Sequence, residues 1–219
     1  MSAAVLELLL ADGRTPSGGY AHSGGLEAAL AGGLSAAGVP AFARARLHTL
    51  GRCQAALAAL AAGCSSLEGL FELDREASAR TPVAALRAAD RRLGLGLLRT
   101  GRTLWPDDRL LASYAAGSSL TPRAVSLGAV ARAAGIDPVG AARLALYEDV
   151  AGVAAAAVKL VSLDGARASA WVAELAGEIE ALAQEACRVQ GDGIPSPSVP
   201  LLDRRALVHQ ASAGRLFAS

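Results

Sequence analysis

The sequence predicts an all-α, single-domain bundle of about eight to ten helices. Three observations carry that expectation. Ala, Leu, Arg and Glu dominate, all of them good helix formers, and Ala alone makes up roughly a quarter of the chain. Val and Ile are scattered, and no run alternates apolar and polar residues between turn signals as a strand would. The punctuation marks helix ends. Thr81-Pro82, Thr121-Pro122 and Asp137-Pro138 each set a capping side chain before a proline, and Gly63, Gly101, Gly117 and Gly135 fall where helices stop.

In order, helices are expected near 2–11, 23–32, 40–62, 66–79, 82–104, 107–116, 122–134, 138–162, 166–190 and 203–212. The first has no basic flank and is interrupted by Glu7, which argues against a secretory signal. Val39-Pro40 opens the third without a capping side chain. Its second half runs into the longest clean uncharged stretch, Cys53 to Leu67, whose 15 residues fall short of the about 20 that a membrane span needs. Asp107-Asp108 reads as the acidic first turn of a helix. In 166–190, Trp171, Leu175, Ile179, Leu182 and Ala186 step by three or four while glutamates fill the other faces. Ala-rich faces bury little area each, which invites burial against a partner. Two stretches break the helical rule. Residues 12–25 hold five glycines, and residues 191–202 hold three prolines and are expected to be extended.

Charge and chemistry narrow the function. With 21 basic and 20 acidic residues the net charge is +1, so no field draws the chain to nucleic acid or a membrane. Three widely spaced cysteines without a CxxC point away from a disulfide framework and toward a reducing cytoplasm. The glycine-rich stretch lacks the lysine of a Walker A loop, and the helix expected before it is not the strand of a Rossmann turn; a turn fixing the start of the next helix is the plainer reading. No GxSxG, HExxH or other catalytic set is present, so no catalytic or metal-binding residue is assigned and no cofactor is implied. His22, His48, His209, Cys53, Cys64 and Cys187 are the soft ligands on which an alternative, an independent metal-binding or storage protein, would rest. Lys159, the chain's sole lysine, suits a helix end, where its cation meets the negative pole. Arg215-Leu216-Phe217, near the terminal Ser219, has the residue types of a buried anchor, docked on the chain's own body or on a partner.

Three ordered segments resemble a known family. Pro16-Ser17-Gly18-Gly19-Tyr20-Ala21-His22-Ser23-Gly24-Gly25-Leu26-Glu27 looks like the amino-terminal signature of the urease accessory protein UreF, P-x-G-G-[FY]-x-[HY]-S-x-G-L-E. Residues 154–163, around Lys159, resemble its A-A-x-[KR]-L-x-P-L segment, with Ser162 in place of the proline. His209 followed by Arg215-Leu216-Phe217-Ala218-Ser219 is similar to its H-x(5)-R-L-F-x-S terminus. Residues 87–99 resemble a further helix of the family, with Asp90 for a serine and Leu95 for an arginine. The resemblance implies an all-α homodimer without enzymatic activity of its own. It implies complex formation with a UreD/UreH-type protein, recruitment of the GTPase UreG and action on apo-urease, with the alternative narrowing to nickel binding or storage. The partner-binding residues it implies are Pro16, Gly18, Gly19, Tyr20, His22, Ser23, Gly25, Leu26, Glu27, Lys159, His209, Arg215, Leu216, Phe217 and Ser219.

Overall fold

The computed structural model describes residues 2–16, 22–190 and 193–210, the side chains of 205, 206 and 208–210 excepted. Its elements are α1 (Ala3–Ala11), α2 (Leu26–Ala31), α3 (Val39–Arg46), α4 (Arg52–Gly63), α5 (Leu67–Ala79), α6 (Ala84–Leu104), α7 (Arg109–Gly117), α8 (Arg123–Ala133), α9 (Pro138–Leu160), α10 (Gly165–Glu174), α11 (Ala176–Ala186) and α12 (Pro200–Gln210). No strand occurs among the described residues, so the fold is all-α.

The two most apolar helices lie at the centre. Beyond Arg52, α4 carries no charge, and it buries Cys53, Leu57 and six alanines; α8 buries every residue from Ala124 to Ala131. A helix that is apolar all round must be covered all round. Accordingly α4 packs between α8 and α9, and α6 lies on the far side of α8. The alanine surface lets axes approach closely. At Gly128 a Cβ would sit 2.6 Å from the Ala61 Cβ, and nearer still to the Ala58 carbonyl. Helices α10, α11, α3 and α1 lie against the long α9, while α12 touches α2 and α6.

Capping follows the sequence in part. Asp137 accepts from the Gly140 amide at 2.7 Å and Asp108 from the Leu111 amide at 2.8 Å, so Asp108 is a cap rather than a first-turn residue. Thr81 and Thr121 do not cap. The Thr81 hydroxyl donates to the Ala77 carbonyl, and α6 begins at Ala84. Thr121, at φ +41°, donates its hydroxyl to the Arg91 carbonyl; Pro122 takes the cap position without a side-chain acceptor. The missing acceptor comes from another helix, because the Arg123 amide donates to Asp90 Oδ2 at 3.1 Å.

Several expected boundaries shift. Residues 39–63 are helical throughout, but Leu47–Gly51 form a π turn between α3 and α4. Residues 166–190 divide at Leu175, which lets α10 and α11 each lie against α9, and α11 ends at Ala186. Gly101 sits inside α6, pressed against Val130 of α8, instead of ending the helix. The proline-rich stretch has no regular structure from 194 to 199 and becomes helical at Pro200. A buried network ties α5 to α7: the Tyr114 hydroxyl donates to Asp74 Oδ1 at 2.7 Å and the Ser118 hydroxyl to Oδ2 at 2.5 Å.

Candidate functional site

A cleft of about 1150 Å³ runs between α2, α6, the start of α8, α9 and the non-helical segment that leads into α12. Its floor is built from both ends of the chain. Gly25 holds φ +82° as it caps α2, a conformation that favours glycine, and a Cβ there would touch Leu202 of α12. Ser23 just before it is fully buried, and its hydroxyl accepts from the Glu27 amide at 3.4 Å. Leu26 inserts beside Val39, Val153 and Ala157 and anchors α2 to α9. His22 enters the cleft from this turn, and Lys159, exposed in the last turn of α9, stands on the wall.

The walls carry matched charges. Arg46 of α3 forms an ion pair with Asp149 of α9, the two side chains being only 10% and 7% exposed, and its Nε donates to Asp149 Oδ2 at 3.3 Å. Next along α9, Glu148 meets Arg123 of α8 at 2.8 Å. Pairs this buried are costly to break, because the survivor keeps its desolvation penalty. Burial, together with the nearby Arg123, Arg46 and Arg92 guanidiniums, lowers His22 to about 4. Burial raises Asp90 to about 6, although the Arg123 amide and guanidinium oppose the rise. These groups fix the helices around the cleft. None is a nucleophile held against a base, as bond-making chemistry would require.

The soft ligands lie apart. His48 pairs with Glu178 of α11 at 2.6 Å. Cys53 is buried in the core and raised to about 11 by burial, the Cys64 thiol donates to the Ser66 carbonyl, and Cys187 is partly buried at the end of α11. Among the described residues no three of His, Cys, Asp and Glu gather as metal ligands would.

A sequence model of the UreF family matches residues 34–176. Three relatives, each named urease accessory protein UreF, come from Mycobacterium bovis, Mycobacterium tuberculosis and Mycolicibacterium vanbaalenii. The first two are 37% identical over 224 residues and the third 37% over 223, with 100% of this chain and of each relative covered. The chain belongs to the UreF family of urease accessory proteins.

In this UreF-family chain the described signature residues divide between roles. Pro16 lies exposed, its carbonyl accepting from the Thr100 hydroxyl of α6 at 3.1 Å. Ser23, Gly25, Leu26 and Glu27 shape the turn into α2, and His22 lines the cleft that Lys159 also borders. Gly18, Gly19, Tyr20, Arg215, Leu216, Phe217 and Ser219 lie outside the described residues, as does the His209 side chain, although the His209 backbone belongs to α12. Sequence alone reveals neither the two ion pairs nor the Arg123 amide as the partner of Asp90. Glu148-Asp149 in an alanine-rich helix was the visible signal, but its partners lie far away in the chain. No helix among the described residues is long and apolar enough to cross a membrane.

Proposed function

We propose that this UreF-family chain is a non-catalytic scaffold for nickel delivery in urease maturation. It binds a UreD/UreH-type protein, recruits the GTPase UreG and promotes nickel insertion into apo-urease while modulating the GTPase. It works in the cytoplasm as a homodimer, with nickel as cargo. The observation that supports the reading best is convergence. The described end of the amino-terminal signature, Lys159 and the segment leading to the Arg215-Leu216-Phe217 terminus approach one cleft, in a chain matched end to end by relatives named urease accessory protein UreF. A scaffold needs rigid surfaces and an anchored end, and it needs no nucleophile. Holding two partners side by side raises their effective concentration, so an intermediate passes between them without escaping.

The proposal assigns partner contact to Pro16, Gly18, Gly19, Tyr20, His22, Gly25, Glu27, Lys159, His209 and the terminal Arg215, Leu216, Phe217 and Ser219. Ser23 and Leu26, both buried, serve that contact by fixing the turn into α2. Size-exclusion chromatography of the purified chain with a UreD/UreH-type protein and the GTPase tests it. Co-elution is expected, and deletion of Arg215 to Ser219 is expected to weaken the UreD/UreH-type contact. Separate elution in every nucleotide state would refute the scaffold, and unchanged affinity of the truncated chain would remove the tail from the interface.

A further inference from the structure

We propose that the outward face of α6 is a docking surface for an acidic, helical protein segment. Arg87, Arg91, Leu95, Arg99 and Arg102 recur along α6 every three or four residues, all exposed, so they form one stripe about 22 Å long. Arg92 lies beside it, also exposed. The sole carboxylate of α6 is Asp90, which is turned to the Arg123 amide of α8. Like charges spaced this way disfavour a helix, so the stripe does not serve the fold.

Elsewhere six arginines (Arg44, Arg46, Arg52, Arg123, Arg132 and Arg143) join neighbouring helices, while single arginines such as Arg109, Arg167 and Arg188 stand exposed without forming a row. Arg91, Arg92, Arg99 and Arg102 meet no carboxylate among the described residues. The stripe is also not purely cationic. Leu95 and Leu120 are each 38% exposed beside it, and they border a notch of about 450 Å³ whose rim includes Arg87, Arg91 and Arg92. The Arg87 guanidinium is held at that rim by the carbonyls of Thr81 and Pro82, at 2.7 and 2.8 Å. Asp90, engaged by the Arg123 amide, also lines the notch, so three arginines stand there against one carboxylate. Leucines inside such a charged rim have the form of a protein hot spot, in which one side chain anchors and the rim sets the register. A straight row at helical spacing fits a helix carrying glutamates four apart and a leucine between them. Nucleic acid would use the arginines and leave the leucines idle.

Fluorescence anisotropy with three labelled probes tests this. The first is a helical peptide of about 20 residues with that glutamate and leucine stripe. The second is its scrambled isomer and the third a single-stranded DNA of equal charge. The striped peptide is expected to bind roughly tenfold or more tightly than either control. The triple variant Arg91→Gln, Arg99→Gln, Arg102→Gln is expected to lose roughly tenfold in affinity. The matched variant Arg109→Gln, Arg167→Gln, Arg188→Gln, with the same change in net charge, is expected to lose little. Circular dichroism reports folding, and if the α6 triple does not fold, Arg99→Gln alone carries the test through a smaller loss. No binding of the striped peptide, equal binding of its scrambled isomer, preference for DNA, or equal loss in the matched variant would overturn the proposal.

Discussion

Replacing Asp90 with asparagine is expected to stabilise the protein at neutral pH and leave it unchanged in acid. Asp90 supplies the acceptor for the Arg123 amide, but burial raises its carboxyl to about 6 from an ordinary 3.8. A carboxyl raised in the fold binds its proton more tightly there than in the unfolded chain, so stability falls as pH rises from about 4 to about 6. At about 1.4 kcal/mol per pH unit the ionised group costs up to about 3 kcal/mol at neutral pH, and its partial access to water reduces that to about 2. Asparagine keeps the oxygen facing the Arg123 amide and drops the charge. Urea melts of both proteins from about pH 4 to about pH 8 are the assay. The variant should gain about 2 kcal/mol near pH 7.5, or several degrees in Tm, and nothing near pH 4. His22 slopes the other way in both proteins, so it cancels in the difference. A variant less stable than wild type near pH 7.5, or a gain that does not change with pH, would refute the reasoning.

Three further outcomes follow from the packing. His22, lowered to about 4, should remain neutral at pH 7 and resist protonation down to that range; its stabilisation of the fold is lost as pH falls from about 6.5 toward about 4, and an NMR titration with an inflection near 6.5 would contradict this. Asp149→Ala should cost about 3–5 kcal/mol by leaving Arg46 buried without its carboxylate, whereas Arg46→Met with Asp149→Leu should cost far less; equal losses in denaturant melts would mean that the pair matters by volume alone. Gly128→Val should cost more than about 3 kcal/mol, because even a Cβ would meet Ala61 at 2.6 Å and the Ala62 nitrogen at 2.9 Å, and a melt within about 1 kcal/mol of wild type would contradict the close crossing.

The helical class and most element positions were legible because composition and local punctuation act within a few residues. Asp137-Pro138 illustrates this: the carboxylate caps the helix that the proline starts. Thr81 and Thr121 show where such reading stops. The same dipeptide pattern is present, but each threonine hydroxyl is taken by a carbonyl, and for Thr121 that carbonyl belongs to Arg91 on another helix. The break at Leu175 was hidden for a related reason. The apolar period continues through it, and only contact with α9 distinguishes one helix from two. Of the cleft, the glycine turn and Lys159 stood out in the sequence. Arg46 did not, because it stands 103 positions from Asp149, in a segment that says nothing of the other when each is read singly. An arginine bias that reads as background in a composition proves selective in space, with six arginines joining neighbouring helices and five massed along α6.

The π turn at Leu47–Gly51 sets a rule for chain length. A π turn takes an extra residue into one helical turn, so every side chain beyond it points about 100° away from where an unbroken α-helix would aim it. That offset lets Val39 and Ala43 face Val153 while, a few turns on, Ala58 and Ala61 still meet Gly128. Losing one residue within Leu47–Gly51 would relax the backbone to ordinary α-helix and leave the alanine face on α8, because the turn already absorbs the extra residue. The same loss within α4, before Ala58, would turn that face by about 100°, so the π turn is the place in this continuous helix where a missing residue does least harm.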